Sequence, residues 1–176
     1  LVILLLIQVG GMGVVTIAVA IFMFAGKRIG LKQRWVMQES ISAPQVGGIV
    51  RMTGFILKTA FLIEGIGALL LALRFCPQFG LGRGLWYAVF HSVSAFCNAG
   101  FDLMGVNSPF SSLTDYVGDP LVSNVIAFLI IIGGVGFLTW NDIREHKLHF
   151  RRYRLQSKLI LTTTLALILT GLLFFL

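Results

Sequence analysis

Between Phe90 and Asp102 the chain reads FHSVSAFCNAGFD, gathering His91, Ser92, Ser94, Cys97, Asn98 and Asp102 around Gly100. Three chemistries start from such residues. A serine beside a histidine suggests hydrolysis, but nucleophile and base must face each other across elements, and neighbours on one helix point apart. His91 is therefore read as a packing or hydrogen-bonding residue. A cysteine near a histidine suggests a metal, yet Cys76 and Cys97, without a CxxC or clustered histidines, make neither a zinc site nor a disulfide framework. A single bridge between them stays open. The third chemistry is main-chain: a short non-helical stretch with a glycine can turn carbonyl oxygens on a dehydrated cation.

The surroundings decide which of these has a setting. Of 176 residues, 57% are hydrophobic and 12% charged, and mean hydropathy is +0.91. The apolar residues fall in runs of roughly twenty, the length that crosses about 30 Å of hydrocarbon. This is the composition of an integral membrane protein. The first residue is Leu1 and the last residues are GLLFFL, with no leader-like start and no polar tail, so the sequence is read as a fragment of a longer polypeptide. The net charge of +7 is concentrated in two short loops, which is how topology is written rather than how nucleic acid is bound.

Runs 1–24, 49–73, 121–140 and 159–176 are each long enough to span. Residues 85–104 are the undecided case. If they crossed the membrane, the basic loops 25–48 (Lys27, Arg28, Lys32, Arg34) and 141–158 (Arg144, Lys147, Arg151, Arg152, Arg154, Lys158) would lie on opposite sides. Short Lys/Arg-rich loops stay cytoplasmic, so parity requires a segment that dips in from outside and returns.

A half-helix over 85–96, followed by an extended piece 97–100, meets that requirement. Such a helix rises roughly 16 to 18 Å and ends near mid-membrane with the negative pole of its dipole pointing inward. Non-helical backbone at that depth survives only when buried in protein or lining a watery cavity. Either it plugs a helix bundle or its carbonyls serve an ion.

A repeat bears on the choice. IQVGGMGVVT (7–16) recurs as IIIGGVGFLT (130–139), so that Gly10, Gly11, Gly13 and Thr16 match Gly133, Gly134, Gly136 and Thr139 at one constant spacing. Small-residue helix packing would account for the glycines alone. The same pattern in two spans, each followed by a basic loop and another span, argues for parallel repeats around a shared axis.

The half-helix, SAFCNAGFD, GGVGF in the following span and GGMG in the earlier one together resemble the Ktr/Trk/HKT superfamily of potassium transporters, and within it the bacterial Ktr membrane subunit. CPQFG and VGDPLVSNVIAFLIIIGGVGF strengthen the likeness, which covers nearly the whole chain. The resemblance implies an all-α membrane fold in which four span, re-entrant loop, span repeats surround one potassium-channel-like pore. Residues 1–24 would be the second span of repeat one, 49–140 repeat two with its pore segment at 85–101, and 159–176 the first span of repeat three. Gly100 would be the filter glycine of repeat two, with Cys97, Asn98 and Ala99 presenting main-chain carbonyls to potassium. Asn98 stands where a potassium channel has threonine. The resemblance further implies passive potassium uptake, with sodium as a second ion, no covalent chemistry and no cofactor. It also implies a homodimer in the cell membrane governed by a cytoplasmic nucleotide-binding ring.

Two rivals remain at this stage: a secondary carrier with a broken helix, and a membrane scaffold that transports nothing. Glu64, mid-span, is costly in lipid and must face protein or a cavity, as a hydrogen-bonding strut in preference to a direct ion ligand. Asp102 lies just outside the expected filter, either raising local cation concentration at its mouth or standing as an exposed loop residue. Asp115 and Asp119 fall in the outer loop before Pro120 opens a helix.

Overall fold

The structure, a computed structural model, describes residues 1–13, 49–106, 109–147 and 149–175. The later part of the expected span 1–24 and the loop 25–48 lie outside the described residues. Those described form helices, 3-10 turns and connecting turns, with no strand among them. That is the outcome expected of a chain whose backbone must satisfy its own hydrogen bonds in lipid.

Among the described residues there are six α-helices: α1 (Val2–Met12), α2 (Ile49–Phe79), α3 (Leu81–Phe96), α4 (Pro120–Val135), α5 (Phe137–His146) and α6 (Leu155–Phe175). Among the described residues, two apolar stretches, Met52–Phe79 and Leu155–Phe174, are long enough to cross a membrane, and α4 with α5 makes a third if that bent pair is taken as one span. The 31 residues of α2 extend about 46 Å, more than the hydrocarbon requires.

The structure draws some boundaries differently from the sequence. α3 begins at Leu81 rather than at residue 85, because Gly80, at φ +80°, is the whole connection between it and α2. Gly84 allows the two helices to meet closely: a Cβ there would lie 2.5 Å from Cys76 Cα. The stretch expected as one span over 121–140 is broken at Gly136, at φ +83° and ψ +152°. Gly13, its repeat mate, ends α1 at φ +81° and ψ +133°. A residue in this region of positive φ cannot continue a right-handed helix, and only glycine adopts it without steric penalty. The third glycine of each copy therefore works as a helix stop in addition to any role in packing.

By contact the chain divides into two compact units, Leu1–Gly133 and Gly134–Leu176. In the first, α2 and α3 form an antiparallel hairpin, with Gly84 against Cys76 near the corner and Ser92 against Gly67 and Glu64 further along. Leu71, Phe75, Ala88, Met104, Tyr116 and Val122 make its main core. A second cluster joins Ile7 of α1 to Phe90 and Val93 of α3.

In the second unit, the buried Asp142 of α5 ties down the start of α6. Its Oδ2 accepts from Arg154 N at 3.1 Å and Ser157 Oγ at 2.6 Å, while its Oδ1 faces Arg154 Nε at 3.4 Å. A carboxylate is well placed where a helix leaves its first N–H groups unsatisfied. Glu145 and His146 lie near enough to Asp142 to suggest a cation site. The Arg154 guanidinium already supplies the positive charge at that point.

Candidate functional site

The helical hairpin delivers the chain to a turn at 97–100, and the contacts on either side show where it goes next. Beyond the turn, Leu103 N donates to His91 Nε2 at 3.3 Å, so the chain runs back alongside the helix that brought it. Tyr116 Oη then donates to Gln78 Oε1 at 2.9 Å, and Asp119 Oδ2 accepts from Arg74 Nε at 2.6 Å. Arg74 and Gln78 belong to the last turns of α2, next to Gly80, where α3 began. Residues 81–119 thus leave one end of α2 and return to the same end, and α4 starts from there.

The Arg74–Asp119 pair closes that end of α2. Asp119 also accepts from the N–H groups of Leu121 and Val122 and so caps α4. The hydrogen bond from Arg74, then those from the Val122 and Leu121 backbone, hold its carboxyl below the ordinary value of 3.8. A depressed carboxyl stabilises the fold above its unfolded pKa and loses that contribution as pH falls through the lower folded value. The closure is therefore favoured at neutral pH and weakens as pH falls below the ordinary carboxylate range. Burial pushes the neighbouring Tyr116 phenol up, so it remains a donor to Gln78.

Within the turn, the N–H groups are drawn back to the helix. Cys97 N donates to Val93 O at 2.9 Å, Asn98 N to Ala95 O at 3.1 Å and Ala99 N to Ser94 O at 2.9 Å. Asn98 takes φ +53° and Gly100 φ +72°. On the return side, Ser94 Oγ donates to Phe101 O at 2.6 Å. Asp102 Oδ1 accepts from Met104 N at 2.9 Å, so this carboxylate shapes the exit of the turn. Asn98 and Gly100 are exposed, while Cys97 and Ala99 are half-buried. A cavity of about 250 Å³ opens beside them, with His91, Ser94, Asn98, Gly100 and Asp102 in its wall.

His91 and Ser92 behave as their helical spacing requires. The His91 ring lies 2.7 Å from Tyr87 O through Nδ1 and packs edge-on against Phe75 and Phe90. Ser92 Oγ instead donates to Glu64 O at 2.7 Å. With Nε2 accepting from Leu103, the proton of a neutral ring sits on Nδ1. No hydrolytic pair is assembled here. Cys76 and Cys97 are both free thiols, so no bridge joins them.

The glycine motif meets the turn directly. A Cβ on Gly133 would lie 1.9 Å from Phe96 O, and one on Gly11 would lie 2.3 Å from Cys97 Sγ. Copies of one motif, on α1 and on α4, are thus pressed against consecutive residues where α3 passes into the turn. The sequence singled out Cys97, Asn98, Ala99 and Gly100, and the structure brings them together with both glycine motifs. Sequence reasoning missed Gln8, whose Nε2 donates to Glu64 Oε1 at 2.9 Å and Oε2 at 3.1 Å. A lone amide in an apolar run was the signal that would have found it.

A helical hairpin, a returning turn and glycine-bearing helices packed on it are the setting in which the family comparison becomes informative. The model of TrkH, described as a cation transport protein, matches residues 2–175. The chain belongs to the TrkH family of cation transport proteins. Ktr system potassium uptake protein B of Bacillus subtilis is 44% identical over 162 residues, covering 92% of this chain and 35% of that protein. Potassium/sodium uptake protein NtpJ of Enterococcus hirae is 38% identical over 174 residues, 99% of this chain and 37% of that protein. The Vibrio alginolyticus Ktr system potassium uptake protein B is 35% identical over 167 residues, 94% of this chain and 36% of its own length. The chain thus spans little more than a third of the curated relatives it matches. As a TrkH-family chain it is a multi-pass helical protein of the plasma membrane, grouped with transport proteins rather than enzymes.

Proposed function

We propose that the full-length protein takes up potassium through a pore, and that residues 97–100 of this chain form one quarter of its selectivity filter. The observation that carries this reading is the turn itself. With the N–H groups of Cys97, Asn98 and Ala99 engaged by α3, the main chain has its carbonyl oxygens to offer a ligand, which suits a cation and not an anion. Gly100 supplies the positive φ that such a turn needs. The names of the B. subtilis and V. alginolyticus relatives specify potassium and that of the E. hirae relative adds sodium, which supports potassium as the main ion and sodium as a second one.

In this reading α1 is the second span of repeat one, α2 to α5 are repeat two, and α6 is the first span of repeat three. Potassium enters from outside, exchanges water for carbonyl oxygens at the turn, and moves inward down the membrane potential. That drop is worth about 2.3 kcal/mol per charge per 100 mV. No bond is made or broken. The exposed Arg151 and Arg152 lie in a turn that the charge rule assigns to the cytoplasm. There they form a surface for a nucleotide-binding ring beneath a homodimer. A carrier that rocks around a broken helix would need inverted repeats. Each glycine-bearing span is followed by a basic loop, which by the charge rule makes the repeats parallel.

The test is uptake by the complete protein in cells that lack their own potassium transport. Growth on low potassium, with rubidium uptake that sodium competes for weakly, is the expected result. Uptake of an organic solute with no potassium flux would favour the carrier, and no flux of either kind the scaffold.

A further inference from the structure

Glu64 is a carboxyl in the middle of an apolar helix, 4% exposed, and passive permeation gives it no task. Buried groups of this kind are expensive in a membrane unless partnered, and they mark function by default. Its partners come from three elements. Gln8 of α1 donates to both oxygens. Cys97, the first residue of the turn, points its Sγ at Oε1 across 3.9 Å. Ser92 of α3 donates to the Glu64 carbonyl, which fixes α3 against α2 at the same level. Gln8 and Gly11 lie three residues apart on one face of α1. That face sets an amide on the Glu64 carboxyl and a bare backbone against Cys97 Sγ.

We infer that Glu64 is a positioning residue for ion selection, linking Gln8 of one repeat to Cys97 of the next so that α1 fixes the height of the turn 97–100. This inference rests on the turn being part of a selectivity filter. Glu64 does not touch the ion. Both its oxygens are taken by Gln8, and it lies against the side chain of Cys97, whereas the proposed ligands are main-chain oxygens. The link matters because carbonyl ligation discriminates between ions by cavity size and by how firmly the oxygens are held. A turn released from Glu64 can still pass cations but distinguishes them less well.

The experiment measures the potassium-to-sodium permeability ratio in the full-length protein, at matched amounts of inserted protein, for Glu64→Leu, Glu64→Gln, Gln8→Leu and Gly100→Ser. Glu64→Leu should lower the ratio about fivefold, the change that follows from losing one hydrogen bond of ordinary net strength. Gln8→Leu should lower it in the same direction. Glu64→Gln, which keeps an acceptor for Gln8 and Cys97, should stay nearer the parent value. If Glu64→Leu fails to insert, Gln8→Leu decides alone. A reduced ratio in Gly100→Ser with unchanged ratios in Glu64→Leu and Gln8→Leu overturns the positioning role and leaves the filter standing. An unchanged ratio in Gly100→Ser removes the filter and this inference with it. A ratio in Glu64→Gln as low as in Glu64→Leu assigns the effect to charge and overturns the link.

Discussion

Replacing Gly133 with alanine in the full-length protein is expected to reduce potassium uptake by about tenfold or more. The new Cβ would stand 1.9 Å from Phe96 O and 2.9 Å from Phe96 C. Those are main-chain atoms at the end of α3, so no side-chain rotation relieves the clash. Either α4 moves away or the start of the turn is driven off its position. The same turn is also met by Gly11, where a Cβ would lie 2.3 Å from Cys97 Sγ. Close-packed interiors convert such overlap into displacement rather than compression. Gly82→Ala, at a position where a Cβ meets nothing within 4 Å, should transport as the parent does. Rubidium uptake at equal surface expression measures both. Parent-like uptake by Gly133→Ala would mean that the observed approach of α4 to the turn is not the one used in transport.

Gly100→Ser is the second large effect and has a different cause. A Cβ on Gly100 meets nothing within 4 Å, so the substitution is not excluded by crowding. It is opposed by the backbone: at φ +72° an L-residue carries a penalty of roughly 1–2 kcal/mol, which corresponds to about a 5- to 30-fold change in an equilibrium. The turn relaxes toward negative φ to escape that penalty, and its carbonyls rotate with it. The expected result is a potassium-to-sodium ratio lowered by about tenfold while total cation flux persists. Gly133→Ala should instead lose flux. Competition by sodium against rubidium uptake separates the two patterns. Identical behaviour of the two variants would argue that one common packing defect underlies both.

Much of this architecture was legible before any coordinates. The charge of the two basic loops demanded an even number of crossings between them. FHSVSAFCNAGFD was too polar to cross, and its residues do make the turn. The glycine repeat was visible too, but half of its meaning was not. Gly13 and Gly136 stop their helices through positive φ, and no residue type announces a conformation that glycine merely permits. The start of α3 was placed late, at residue 85 rather than Leu81, and Gly84 inside it is needed for close approach to α2. Glu64 was recognisable as a strut in need of partners. Its link to Gln8 and Cys97 was not, since those residues are distant in sequence and meet only through the rotation of three packed helices. The Arg74–Asp119 closure was hidden for the same reason.

The central claim is that the chain enters the membrane along α3 and comes back out on the side from which it entered. Arg83 lies in the first turn of α3 and Ser112 on the returning segment, both exposed. Arg83→Cys and Ser112→Cys, introduced singly into the full-length protein, can be treated with a membrane-impermeant thiol reagent on intact cells and compared with the parent. Labelling of both from outside is the predicted result. Labelling of one from outside and of the other only after the cells are opened would make residues 81–119 a crossing segment, and the account of the turn as an ion filter would be contradicted.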